Sequence, residues 1–311
     1  MSKVAAPCHL NNEEAAGLIG PAPRWLDQAP LVDDLRILGD PMVPLSAQSL
    51  MNVAAKYFFA FVHPGAQSNP VPPSAIGALL GMFARCRSLN EPDDDIEIMN
   101  MLRRFAPALS LAGEPETAAR MLRALFGQRV AETGRFLGLD LYSGAGLLVL
   151  GQYLLARRAG VESIEVWGME EDAEVADRAG ALLRSLGAGN VVHASPATAS
   201  SYALAGGRNI ALVSAADTTG TCAALCDERF FGAYAALFEA CGPALGRAEF
   251  FPEGLIVYSR ETNASLILSR ENGFQRPAEF EGAALHPQAW IVSGEILPLH
   301  RLSRGSGFGK N

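Results

Sequence analysis

Over the first 130 positions, apolar residues recur every three or four places, the repeat of a helix with one buried face. PLVDDLRILG (30–39), SAQSLMNVAAKYFFAFVHP (46–64) and PSAIGALLGMFARCRSL (73–89) carry that pattern. So do DDDIEIMNMLRRFAPAL (93–109) and EPETAARMLRALFGQRVAETGR (114–135), whose leading acids suit the positive end of a helix dipole. Pro64, Pro70, Pro72 and Pro73 bracket a Gly/Ser/Asn-containing stretch that reads as a loop.

The period changes near residue 135. Short β-rich runs, FLGLDLY (136–142), IEVWGME (164–170), NVVHAS (190–195), NIALVSA (209–215) and GLIVYSR (254–260), alternate with helical stretches. That alternation predicts an α/β fold, a parallel sheet with helices on both faces and its loops gathered at one sheet edge. The tail departs from it: FQRPAEFEG (274–282) and AWIVSGEILPLHRL (289–302) have no helix between them and are expected to pair antiparallel. The chain therefore divides into an all-α part over 1–130 and a Rossmann-like part over 131–311.

A length of 311 residues, 49% hydrophobic and 19% charged, supports a packed core and argues against disorder. No apolar run reaches the roughly 18 residues of a membrane span, and MSKVAAPCHLNNEE lacks the apolar segment of a secretory leader. A cytoplasmic protein without a membrane partner is expected. The net charge of −8, with no basic run, disfavours nucleic acid as a partner. Cys8, Cys86, Cys222, Cys226 and Cys241 are odd in number and scattered, which fits reduced thiols. Neither they nor His9, His193, His286 and His300 suggest a metal site. A homodimer is compatible with this composition.

The chemistry concentrates in GLDLYSGAGLLVLG (138–151), an apolar run ending in an acid, then two glycines, then a helix-like pattern. A Walker loop needs Gly-Lys-Ser/Thr, and here Leu147 and Leu148 follow Gly146. A dinucleotide loop needs a third glycine where Val149 stands. S-adenosylmethionine has no pyrophosphate and needs no third glycine; it benefits from an acid at the end of the next strand to accept from the ribose hydroxyls. Glu170, 24 residues beyond Gly146, fits that place.

These segments, with LRSLGAGNVV (183–192), resemble the cofactor half of the class I S-adenosylmethionine-dependent methyltransferases over roughly residues 120–302. The family loop runs acid-x-Gly-x-Gly-x-Gly; here the acid is Asp140, Tyr142 replaces the first glycine, and Gly144 and Gly146 are the other two. The resemblance implies an antiparallel final strand in the sheet and S-adenosylmethionine as cofactor. It implies that Asp140 meets the loop backbone or the cofactor's amino group, and that Tyr142, Ser143, Gly144 and Gly146 line the turn. Glu170 and Glu171 would stand beside the ribose, with Glu171 and Asp172 also suited to open the next helix. Ser195 or Thr198 would replace the family's adenine-binding acid, and Ser214 would lie near the methionyl end. The Asn/Asp-Pro-Pro-Tyr/Phe motif of nucleic-acid amino-methylating branches is absent from SAADTTGTC (214–222).

Asp217, at the expected catalytic edge, either orients or deprotonates an acceptor or caps the following helix. His63, beside the aromatic run YFFAF (57–61), either lines an acceptor pocket or ends its helix. Tyr258 and Glu253 are further pocket candidates. The resulting expectation is an enzyme transferring a methyl group to an N, O or S atom of a small molecule, the helical part serving as lid or acceptor-binding domain. Two alternatives stay open: a nicotianamine-synthase-like aminocarboxypropyl transferase using the same cofactor, and a non-catalytic binding protein that keeps the fold.

Overall fold

The computed structural model describes residues 23–88, 97–130, 134–215, 228–251, 254–259 and 297–303. Helices come first: α1 (Leu31–Leu38), α2 (Ala47–Val62), α3 (Pro73–Ser88), α4 (Glu97–Arg104), the single turn α5 (Ala106–Leu109) and α6 (Pro115–Leu125). A capping box starts α2, Ser46 Oγ accepting from Ser49 N–H and Ser49 Oγ from Ser46 N–H. His63 is the C-cap of α2, its ring 4.6 Å from that of Phe59, and burial lowers its pKa. The sequence pattern predicts one helix over 93–109, whereas the helix breaks at Phe105. Pro107 explains the break, because it has no N–H to give the carbonyl four residues back, at Arg103, and its ring would clash with that carbonyl, whereas it is tolerated in the first turn of the new helix.

The α/β part follows as β1 (Arg135–Asp140), α7 (Leu147–Arg158), β2 (Ser163–Glu170), α8 (Ala173–Ser185), β3 (Asn190–His193), β4 (Leu212–Ser214), α9 (Glu228–Cys241) and β5 (Glu249–Phe251). The sheet order is β3-β2-β1-β4-β5, and every pairing in it is parallel. This is a Rossmann-like doubly wound sheet, whose strand order reverses between β1 and β4 while all strands run the same way. Along β1 the side chains alternate between two cores. Phe136 joins the core built from the N-terminal helices, α7 and α8, while Leu137 and Leu139 join the one that includes Ala233 and Leu237 of α9.

Two expectations about the C-terminal strands are corrected. The fifth sheet strand is Glu249–Phe251 and not the run at 254–260. That run instead forms β6 (Gly254–Ser259), which pairs antiparallel with β7 (Leu297–Ser303) in a separate two-stranded sheet, so among the described residues no antiparallel strand enters the main sheet. Pro252, between the two runs in sequence, supplies no N–H for a continuous ladder. FQRPAEFEG lies outside the described residues.

The helical layer is stitched to the α/β part. Arg158, the last residue of α7, donates to the carbonyls of Leu38, Asp40 and Val43 at 2.8, 2.6 and 3.0 Å, capping the end of α1. Within the helical layer, Lys56 is buried and pairs with Asp27 (2.5 Å) and Asp34 (2.7 Å), while Asn52 donates to both carboxylates. Among the described residues no helix is long and apolar enough to cross a membrane.

Candidate functional site

Parallel register brings the C-terminal ends of β1 and β4 level, Asp140 standing opposite Ser214 on one side and Gly168 on the other, where β2 runs two residues further to Glu170. Here, at the switch point of a doubly wound sheet, ligands bind. The loop after Asp140 turns back sharply: Tyr142, Gly144 and Gly146 all have positive φ, at 56°, 52° and 84°. Tyr142 thus adopts a glycine-favoured conformation, a strained one for tyrosine. Gly146 is the N-cap of α7.

Asp140 is buried and accepts from the Ser214 hydroxyl. That hydroxyl in turn accepts from Gln152 Nε2 at 2.8 Å, and the same nitrogen reaches the Leu139 carbonyl at 2.9 Å. Ser214 and Gln152 are both fully enclosed, so Ser214 supports Asp140 from beneath the crevice. Gly138 makes this possible, since a Cβ there would lie 2.0 Å from Gln152 Oε1. Burial pushes the Asp140 carboxyl up to about 7; the Ser214 hydrogen bond opposes the shift and the charge of Glu170 adds to it.

Glu170 ends β2 and turns toward the loop. Its Oε2 accepts from Gly144 N–H and its Oε1 from Asp172 N–H, both at 2.9 Å. Desolvation raises its pKa against those two bonds. Asp172 caps α8, accepting from the N–H groups of Glu174 and Val175. Glu171 accepts from the Ser195 hydroxyl at 2.7 Å, joining the ends of β2 and β3 at the rim. Met169 is buried in the core on the α9 side of the sheet. Ser143 donates its N–H and its hydroxyl to the Met169 carbonyl. Asp217, Glu253 and His286 lie outside the described residues.

Two contacts come from the helical layer. Tyr57, in α2, donates to the Ala145 carbonyl at 2.6 Å, and Ala145 N–H donates to the Ala108 carbonyl at 3.0 Å. Pro107, Ala108 and Ser110 face Asp140, Tyr142 and Gly144 across a cleft of about 40 Å³. That holds a few waters. Among the described residues lining it, Asp140 carries the only ionisable carboxylate and there is no Lys, Arg or His. No group of three His, Cys, Asp or Glu suited to a metal occurs among the described residues.

No motif in the sequence points to Tyr57 or Gln152. Gln152 is the single polar residue inside LLVLGQYLL, a signal that a buried polar partner awaits it. Tyr57 sits within an aromatic run that reads as core, and nothing in the run singles it out.

No protein-family model matches the chain. No curated protein matches it. Solved structures that resemble it include the crystal structure of PRMT6, 12% identical with a TM-score of 0.34, the match covering 50% of this chain and 48% of that one. The match thus spans about half the length of either protein. Strand order and direction define the Rossmann-like fold independently of that likeness.

Proposed function

We propose that the crevice at the ends of β1, β2 and β4 binds S-adenosylmethionine and that the protein is a methyltransferase acting on an N, O or S atom of a small molecule. One observation carries this reading most: a buried carboxylate, Asp140, borders a cleft whose described lining has no cation, beside a second carboxylate, Glu170, fixed at the end of β2. Such a site disfavours a pyrophosphate relative to an ammonium and a sulfonium. Asp140 would take the amino group. Glu170 keeps a second lone pair on each oxygen for the ribose hydroxyls. Glu171 and Ser195 would border the nucleoside. The bound cofactor supplies an activated methyl group, and the protein's part is alignment and exclusion of water. The N-terminal helices would cover the crevice and contribute to the acceptor site, and Asp217 is the residue proposed to orient the acceptor. Neither a nucleic acid nor a membrane is proposed as partner; a homodimer and a cytoplasmic location remain part of the proposal.

The test is calorimetric titration with S-adenosylmethionine, S-adenosylhomocysteine, NAD and ATP. Saturable heat with the first two alone is expected; heat with NAD or ATP alone overturns the reading. The small volume of the cleft favours a second reading, a fold kept without a cofactor, which silence for all four ligands would support. Methylthioadenosine in place of S-adenosylhomocysteine among the products would identify aminocarboxypropyl transfer.

A further inference from the structure

The carboxylates beside the glycine loop suit a sulfonium nucleoside, yet the cleft of about 40 Å³ is far below the roughly 300 Å³ at which small-molecule pockets begin. What fills the space is the chain itself. The Ala108 carbonyl accepts from Ala145 N–H beside the N-terminus of α7, the position an acceptor oxygen of a ligand would take. A Cβ built on Gly144 would lie 2.8 Å from that same carbonyl, so the turn sits directly on the loop.

We propose that the segment Phe105–Ala112 is a displaceable plug, standing in for the cofactor over the glycine loop and swinging out when the cofactor binds. The inference rests on the function proposed above. The segment has natural pivots at the helix break at Phe105 and at the turn after α5. Its packing partners are α3 and α4 of the helical layer. Toward the α/β part it is held by the Ala108–Ala145 bond, by Arg178 over the Phe105 ring at 5.0 Å, and by Phe105, Leu109, Leu111 and Ala112, which share a buried cluster with Leu147 and Leu148 of α7; just before it, Arg104 pairs with Glu174 at 2.5 Å. That ion pair is largely exposed, and exposed pairs hold weakly. Opening frees Ala145 N–H and uncovers Asp140 together.

Hydrogen exchange of the full chain with and without S-adenosylhomocysteine tests this, alongside calorimetry on Leu109→Ala, which removes the buried anchor of the turn, and Pro107→Gly, an exposed change that loosens it without touching the core. Amides of 105–112 should exchange about tenfold faster or more when S-adenosylhomocysteine binds, while those of 143–147 slow. Affinity should rise about tenfold in Leu109→Ala and about two- to fivefold in Pro107→Gly, because a larger fraction is already open. Binding by a variant where the wild type is silent supports the plug as well. If S-adenosylhomocysteine binds and residues 105–112 exchange unchanged or more slowly, the plug is overturned while the cofactor site stands. If neither the wild type nor either variant binds, the cofactor site fails and the plug with it.

Discussion

Tyr57 in the helical layer donates its hydroxyl to the carbonyl of Ala145 in the glycine loop, 2.6 Å away and fully enclosed. Since Ala145 N–H is held by Ala108, the helical layer grips one residue of the loop through both of its backbone groups. Tyr57→Phe leaves that carbonyl buried without its donor. A loss of about 1–3 kcal/mol in urea unfolding is expected, because the desolvation cost of the orphaned group is then uncompensated. An unchanged midpoint would mean that the bond contributes nothing to joining the two parts.

Asp140 makes stability depend on pH in a definite direction. Its native carboxyl titrates at about 7, above the ordinary carboxylate range of the unfolded chain, so between those values the native state holds a proton that the unfolded state has released. Stability from this group is therefore fully present below about pH 4, falls as pH rises toward 7, and is level above. Glu170 shifts in the same direction, so the comparison must be made against Asp140→Asn. Wild type should lose up to ~4 kcal/mol relative to that variant between pH 4 and pH 8. Parallel curves for the two proteins would remove Asp140 as the cause. In the same experiment, S-adenosylhomocysteine should bind more tightly as pH passes 7 in the wild type only.

Lys56 is a buried cation held by Asp27 and Asp34, and burial raises the pKa of Asp34 even with the lysine beside it. Lys56→Met keeps the chain length and removes the charge, stranding Asp34 in the core. The expected cost is about 3–5 kcal/mol at neutral pH. Part of it should return in acid as Asp34 takes a proton; a cost independent of pH would point to lost packing instead.

Glu170→Ala removes the acceptor of Gly144 and Asp172 N–H and the proposed ribose partner together. S-adenosylhomocysteine affinity should weaken by about 1.5–3 kcal/mol, with a smaller fall in melting temperature. A stability loss with unchanged affinity would confine Glu170 to shaping the loop.

Much of this fold is legible in the sequence because its signals are local. The change of period near residue 135 locates β1, and the acid, paired glycines and Glu170 spacing locate the crevice. The backbone at Tyr142, with a φ of 56°, is one that a glycine would adopt at less cost. The fifth strand was harder to read, because three residues, EFF, suffice to extend a parallel sheet while the more apolar GLIVYS pairs elsewhere. Contacts between distant segments were not legible at all. No local pattern announces that Tyr57 reaches 88 residues along the chain to Ala145, or that the Gln152 side chain rests where a Cβ of Gly138 would be.

The most direct test of the central claim is a crystal structure of the protein grown with S-adenosylhomocysteine. The nucleoside should lie over Gly144 and Gly146, with its ribose hydroxyls on the Glu170 carboxylate and its amino group on Asp140. A nucleoside bound elsewhere, or crystals in which Glu170 still meets only the N–H groups of Gly144 and Asp172, would contradict it.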